Sequence, residues 1–454
     1  MEEYDAIVLG AGSGLDVASA LANRDWQVAV VEPGPLGGTC LNRGCIPSKM
    51  LIHHADVAET IRGADEFHID AEFNDADFST IVDEVNETVG EDAEAIERGV
   101  RKSDNHTLYK TEAEFVDEKT LEVDDERISS DMIVVAAGSR PMIPPIDGLD
   151  EVDYLTSKEA LSLDEQPDEL VIIGGGYIAV ELAHFYAALG TEVTIIEMAD
   201  SLVSREDEDI AATFTELAQE RDRWDVNLGL KASQVEQDGD RITVHAEDED
   251  GNEHSFAGDE LLVAAGRVPN TDKLKVEEAG LETDDRGFLE VDDHMRTSQD
   301  GVYALGDIAG EWMFKHSANH EAQTVLRNIL GMDDAVDYTA MPHAIFSAPQ
   351  VAGVGRTEQE LEEQGVDYAV GTYDYGKTGM GLALKEDDGF VKVLVDNDSG
   401  EILGCHIIGP EASTLIHEVL VAMKAGSGTV DDIRDTIHIH PALNEVVQRA
   451  FNSV

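Results

Sequence analysis

A chain of 454 residues, 42% hydrophobic and 28% charged, has the length of about three domains and the composition of a globular protein. Its 31 basic residues stand against 96 acidic ones, a formal net charge of −65, which argues against nucleic acid or anionic lipid as partners. No run of about 18 apolar residues is present, which excludes a membrane-spanning helix. The acidic start Met1-Glu-Glu-Tyr-Asp5 lacks the basic opening and cleavage site of a signal peptide, so a cytoplasmic location is expected. The acids are spread along the chain, as at Asp56, Glu59 and Glu358. Such a surface repels itself in dilute buffer, and molar salt screens it to about 3 Å. A solvated acidic face is one reading; a halophilic cytoplasm, with folding that needs high salt, is the favoured one.

In chain order, the first predicted unit opens with the strand Tyr4-Asp-Ala-Ile-Val-Leu9 and the turn Gly10-Ala-Gly12-Ser13-Gly14. A helical run to Arg24 and the strand Gln27-Val-Ala-Val-Val-Glu32 complete it. A second unit repeats the pattern: Leu170-Val-Ile-Ile173, the turn Gly174-Gly-Gly176-Tyr177-Ile178, a helix to Leu189 and Val193-Thr-Ile-Ile-Glu197. In each, an acid follows the first glycine by about 20 residues, the spacing of a dinucleotide-binding βαβ fingerprint. The glycines let backbone approach a pyrophosphate at a helix N-terminus, and the acid accepts from a ribose hydroxyl. The first fingerprint carries Leu15 where a third glycine is usual, so looser or shifted helix–strand packing is expected there, with the phosphate-approach glycines kept.

Both units end alike, at Ile133-Val-Val-Ala-Ala-Gly138 and Leu261-Leu-Val-Ala-Ala-Gly266. A short segment with the strand-like Val302-Tyr-Ala-Leu-Gly-Asp307 follows. The remainder predicts strands over 350–354 and 390–395 and helices over 413–425 and 443–451, an α+β domain. Cys405 lies in an alternating run and reads as a small core residue. The acidic stretch 247–251 reads as a hairpin tip or surface loop.

Three cysteines in a chain this long are no secreted disulfide framework. Cys40 and Cys45, in Gly37-Gly38-Thr39-Cys40-Leu-Asn-Arg-Gly-Cys45-Ile-Pro-Ser-Lys49, have the wrong spacing for zinc and no second pair to complete a site, so no metal is expected. A structural disulfide fits poorly with a reducing cytoplasm, whereas a redox-active pair fits well. Pro47 suits a first helical turn, which places Cys45 at the positive helix end and favours its thiolate.

With these residues stands the C-terminal run His438-Ile-His440-Pro-Ala-Leu-Asn-Glu445, and together they resemble the pyridine nucleotide–disulfide oxidoreductases over essentially the whole chain. The resemblance implies an α/β fold with two Rossmann-like domains and an α+β dimerisation domain: FAD-binding over 1–146, NAD(P)-binding over 147–266, a central domain over 267–334 and an interface domain over 335–454. It implies FAD contacts from Gly10, Gly12, Ser13, Gly14, Glu32, Gly38, Thr39, Lys49, Ala113 and Asp307. NAD(P) contacts are implied for Gly174, Gly176, Tyr177, Ile178, Glu181, Glu197 and Gly266, with Tyr177 gating the nicotinamide and Glu181 pairing with Lys49. Cys40 would attack the substrate disulfide and Cys45 would face the flavin. His440, donated across a homodimer interface and oriented by Glu445, would protonate the leaving thiol. A cis His440–Pro441 bond is also implied.

Within the family, a tail without a cysteine pair disfavours mercuric reduction, and Ala20 and Gln323 stand where glutathione reductases carry substrate-binding arginines. Leu15 and Ala442 depart from dihydrolipoamide dehydrogenases, whereas the segments Phe314-Lys-His-Ser-Ala-Asn-His-Glu-Ala322 and Cys45-Ile-Pro-Ser-Lys-Met50 resemble mycothione reductases. The resemblance, taken with the halophilic charge, implies bis-γ-glutamylcystine as the small-molecule disulfide. For the nicotinamide, Glu197 favours NADH and the small-thiol branch favours NADPH; both stand. Dihydrolipoamide dehydrogenase is the alternative, and an electron-transfer flavoprotein reductase without thiol chemistry is a further one.

Overall fold

The computed structural model describes all 454 residues, which group into two compact units. One comprises Met1–Met50, Thr80–Ile143 and Gly266–Asp337, the other Leu51–Ser79, Pro144–Ala265 and Tyr338–Val454. No helix is long and apolar enough to cross a membrane.

In the first unit a parallel sheet runs in the order Val302–Ala304, Ile133–Val135, Ala6–Leu9, Val28–Val31, His106–Tyr109. Side chains alternate across a strand, and both faces here are covered. Val8 packs with Val17 and Leu21 of helix Gly14–Ala22 and Val325 of helix Lys315–Ile329. Ile7 and Leu9 face the other way, onto Phe115, Leu121 and Val123 of the antiparallel strands Ala113–Asp117 and Thr120–Val123. Two-sided burial is why these strands read as continuous apolar runs, each aliphatic side chain contributing roughly 1.5–3 kcal/mol. The segment after Gly266 returns to this unit because Val302–Ala304 pairs in parallel with Ile133–Val135.

Of the two outcomes expected beside Leu15, looser or shifted packing, the contact is shifted. A Cβ on Gly14 would meet the Ala136 Cβ at 2.7 Å, so Gly14 supplies the close helix–strand approach. Leu15 is free to pack, partly buried, against the hydrophobic cluster beside it.

In the second unit a parallel sheet is ordered Trp224–Asn227, Glu192–Ile196, Glu169–Ile173, Glu260–Val263. Three antiparallel strands, Lys231–Asp238, Arg241–Glu247 and Glu253–Gly258, share a core with it through Val235, Ile242 and Val244. The acidic stretch 247–251 falls at the turn between the last two of them, as expected. The C-terminal part forms an antiparallel sheet ordered Pro342–Ile345, Val351–Gly355, Ile402–Ile408, Phe390–Asp396, Tyr368–Asp374. Helices Ala412–Ala425 and Glu445–Phe451 cover it, and Cys405 is fully buried among Val354, Val393 and Ile416. Strand Phe390–Asp396 also buries Lys392, whose ammonium meets Asp207 at 2.8 Å, Asp209 at 2.6 Å and Glu358 at 2.5 Å. An ammonium so enclosed must be paired to stay charged, and these carboxylates hold its pKa above the ordinary value against the opposing effect of burial.

Candidate active site

The cysteine segment is shaped by glycine. Gly37 and Gly38 have φ of 104° and 68°, a region that side chains rarely adopt. A Cβ on Gly38 would meet the Gly12 Cα at 2.6 Å, so the turn before Cys40 lies flat against the first fingerprint. The Gly37 N–H donates to the Ala11 carbonyl at 2.9 Å, and the Asn42 amide donates to the carbonyls of Leu36 and Gly38, both at 3.0 Å. Thr39 and Cys40 then lie in the short helix Gly38–Arg43. Helix Cys45–Arg62 begins at the second cysteine, with Pro47 in its first turn as expected.

Cys40 is half-buried and Cys45 exposed, and no disulfide joins them. They are hydrogen-bonded to one another. That bond, followed by burial, pushes the Cys40 thiol well above its ordinary pKa, and the ammonium of Lys315 acts in the opposite direction. Lys49 lies one turn beyond Cys45 on the same helix, its Nζ 3.3 Å from the Ser48 hydroxyl.

The fingerprint acids repeat one geometry. Glu32 accepts from the N–H groups of Ala11 and Gly34, both at 2.9 Å. Glu197 accepts from the N–H of Gly175 and, at 2.7 Å, from that of Ala199. Each carboxylate is thereby fixed against its glycine turn with acceptor capacity left for a ribose hydroxyl. Gly174 has φ of 114°, Gly176 precedes helix Tyr177–Leu189, and Tyr177 is 39% exposed at its start, followed by the half-buried Ile178. Glu181, on the same helix, is buried and accepts from the Phe346 N–H at 2.9 Å. Gly266 has φ of 126° and its carbonyl accepts from the Met142 N–H at 2.9 Å.

Asp307 is held by residues that sequence reasoning missed. Its Oδ2 accepts from the Ser139 hydroxyl at 2.5 Å and lies 3.6 Å from Arg267 Nε, which itself donates to Ser139 at 2.7 Å. Ser139 and Arg267 sit on the paired strands Ser139–Pro141 and Arg267–Pro269, and only this long-range pairing brings them to the acid. Ala113, 8% exposed, opens its strand within the core. Near the first fingerprint, Ser13 donates to Asn319 at 2.9 Å and accepts from Lys315 at 2.8 Å, two further partners not assigned from sequence. Gly10, Gly14 and Gly38 let the turn close against Ala136 and Gly12, which leaves the N-terminus of helix Gly14–Ala22 beside the fixed Glu32, an arrangement that suits the pyrophosphate and ribose of a dinucleotide such as FAD.

His440 is 76% exposed, and its Nδ1 lies 3.0 Å from each carboxylate oxygen of Glu445. Glu445 is the largely buried first residue of helix Glu445–Phe451. The hydrogen bond from His440 holds its carboxyl below the usual range. The His440–Pro441 bond is cis, as the resemblance implies. His438 is a different case. Its ring is 6% exposed and engaged at both nitrogens, by the Thr436 carbonyl and by Glu418.

Residues 4–322 match the family model for pyridine nucleotide-disulphide oxidoreductase, and residues 341–451 match its dimerisation domain. Mycothione reductase of Mycobacterium tuberculosis is 37% identical, covering 99% of each chain. Dihydrolipoyl dehydrogenase of Halobacterium salinarum is 38% identical over 98% of this chain and 95% of its own. The solved structure of the HOCl-induced flavoprotein disulfide reductase RclA from Escherichia coli superposes with a TM-score of 0.88 at 29% identity, covering 99% of this chain and 100% of that one. Matched along its length, with the cysteine pair and both fingerprints in place, the chain belongs to the pyridine nucleotide-disulphide oxidoreductase family, enzymes that use FAD and NAD(P)H.

Proposed function

We propose that the protein reduces a low-molecular-weight disulfide, bis-γ-glutamylcystine, to two molecules of γ-glutamylcysteine in a cytoplasm of high salt. The observation that carries the disulfide chemistry is the hydrogen-bonded Cys40–Cys45 pair. In this reading the Cys40 sulfur attacks one substrate sulfur, forming a mixed disulfide and releasing the first thiol. The Cys45 thiolate then attacks the Cys40 sulfur, leaving the Cys40–Cys45 disulfide and expelling the second product as a thiolate, which takes its proton from solvent. His440, with Nδ1 anchored by Glu445, takes the proton from Cys40 and returns it to the leaving sulfur. Bound FAD supplies the relay of two electrons from the nicotinamide that restores the dithiol. Gly10, Gly12, Ser13, Gly14, Glu32, Gly38, Thr39, Lys49, Ala113 and Asp307 would hold it, and Gly174, Gly176, Tyr177, Ile178, Glu181, Glu197 and Gly266 would hold the nicotinamide nucleotide.

Homodimerisation, with His440 serving the partner's cysteines, is supported by the dimerisation-domain match and by Ile437 and Ile439, 96% and 77% exposed on either side of His438. Exposed isoleucines beside a reactive histidine fit a contact surface better than a solvated one. The substrate assignment rests on Ala20 and Gln323, which offer no guanidinium for glutathione, and on the acidic composition.

Glu197 repels a 2′-phosphate and accepts from a 2′-hydroxyl, so NADH should outperform NADPH in kcat/KM by about 10–100-fold. The test is a matrix of bis-γ-glutamylcystine, glutathione disulfide and lipoamide against each nicotinamide in molar KCl. Bis-γ-glutamylcystine with NADH should give the highest kcat/KM. Lipoamide as the best substrate would favour the second reading, dihydrolipoyl dehydrogenase, which the Halobacterium salinarum relative supports.

A further inference from the structure

Lys315 is a half-buried cation with no carboxylate partner in a chain that carries 96 acidic residues. Several other bases are paired with acids, as Lys275 is with Glu114 at 2.5 Å and Arg140 with Asp272 at 2.7 Å, while the exposed Arg24 donates to a backbone carbonyl. The Lys315 Nζ instead donates to the Ser13 hydroxyl at 2.8 Å, and that hydroxyl spends its own proton on Asn319 at 2.9 Å. An ammonium has three donors, and Ser13 takes one. Ser13 follows Gly12, against which the glycine turn leading to Cys40 is packed. The charge of Lys315 is accordingly felt at the Cys40 thiol, on the side opposing the effect of burial.

We infer that Lys315 is a specificity-determining residue, whose unspent N–H donors take a carboxylate of the disulfide attacked by Cys40. The inference rests on Cys40 being the thiol that meets the substrate, but not on which thiol compound the substrate is. It gives the site a preference for anionic small disulfides over neutral ones. Such a cation replaces in function the guanidinium groups that Ala20 and Gln323 do not offer. The position of Ser13 in the first fingerprint makes a cofactor phosphate the rival occupant.

The test compares Lys315→Met and Lys315→Arg with the unsubstituted holoenzyme. The probes are two chromogenic disulfides: 5,5′-dithiobis(2-nitrobenzoate), which carries carboxylates, and 4,4′-dithiodipyridine, which is neutral above pH 7. FAD content and FAD affinity are measured on the same preparations. Lys315→Met should raise KM for the carboxylated disulfide about 10–100-fold, the scale of one charge-assisted hydrogen bond. KM for the neutral disulfide should stay within about twofold, a fall in kcat from a less stabilised Cys40 thiolate should be the same for both disulfides, and Lys315→Arg should recover most of the loss. Unchanged KM overturns the inference. Equal changes in KM for both disulfides overturn it in favour of a role at Cys40 itself, and lost or weakened FAD binding overturns it in favour of a cofactor contact. An unsubstituted enzyme that reduces both probes but not bis-γ-glutamylcystine would refute the substrate assignment alone and leave the charge test valid.

Discussion

Replacing Cys40 with serine should stop disulfide reduction, lowering turnover by on the order of 10⁴–10⁶-fold, the scale of losing a nucleophile. A hydroxyl is a far weaker nucleophile than a thiolate and cannot form the mixed disulfide. Cys45→Ser should be nearly as inactive for a different reason. Its Cys40 can still attack, but nothing resolves the product. Intact-protein mass after exposure to bis-γ-glutamylcystine separates the two: Cys45→Ser should retain one γ-glutamylcysteine adduct, and Cys40→Ser none. The opposite pattern would mean that the roles of the two thiols are exchanged. The half-buried position of Cys40 and its hydrogen bond with Cys45 set the energetic problem, because both raise the cost of the thiolate that must attack.

The second large effect follows from that cost. A thiol whose pKa lies above its ordinary value needs a base, and the departing thiol needs an acid. A single imidazole does both because its intrinsic pKa lies near neutrality. With Nδ1 of His440 bound by both Glu445 oxygens at 3.0 Å, Nε2 is the nitrogen left for proton transfer. His440→Gln should slow disulfide turnover by about 10²–10⁴-fold while leaving reduction of the bound flavin by NADH nearly intact in stopped-flow absorbance. Loss of both half-reactions would make His440 a structural residue. His438→Gln should leave turnover largely unchanged, since that ring is occupied by Thr436 and Glu418. The sign of the pH dependence follows from Glu445. Its carboxyl is held below the usual range by His440, so the pairing is present above the ordinary carboxylate pKa and is lost only as pH falls through the depressed value.

What the sequence made legible was the local part. Apolar runs bounded by glycine turns located the strands Ala6–Leu9, Val28–Val31 and Glu169–Ile173. Alternation placed Cys405 in the core, where it is fully buried. The short interval between His440 and Glu445 let them be paired by resemblance, and the structure brings them into contact. What was not legible depends on chain segments far apart in sequence. Asp307 is braced by Ser139 and Arg267, and Ser13 by Lys315 and Asn319, and no periodicity encodes such meetings. Which outcome Leu15 would bring, looser or shifted packing, was not legible for a related reason. The fingerprint pattern marks one glycine for helix–strand contact, while here the side chain of Ala136, on a remote segment, makes Gly14 the tight position. Likewise, the segment after Gly266 carries its own strand, yet that strand completes the sheet begun by Ala6–Leu9.

The most direct measurement of the redox assignment is differential alkylation read by peptide mass spectrometry. The air-oxidised holoenzyme is unfolded and alkylated before and after anaerobic reduction by one equivalent of NADH, in molar KCl throughout. Cys40 and Cys45 should be unlabelled before reduction and both labelled after it. Cys405, a buried core thiol, should be labelled to the same extent in both samples. A flavin that is reduced while Cys40 and Cys45 show no change in labelling would contradict the account, because electrons would then pass through the protein without using the cysteine pair.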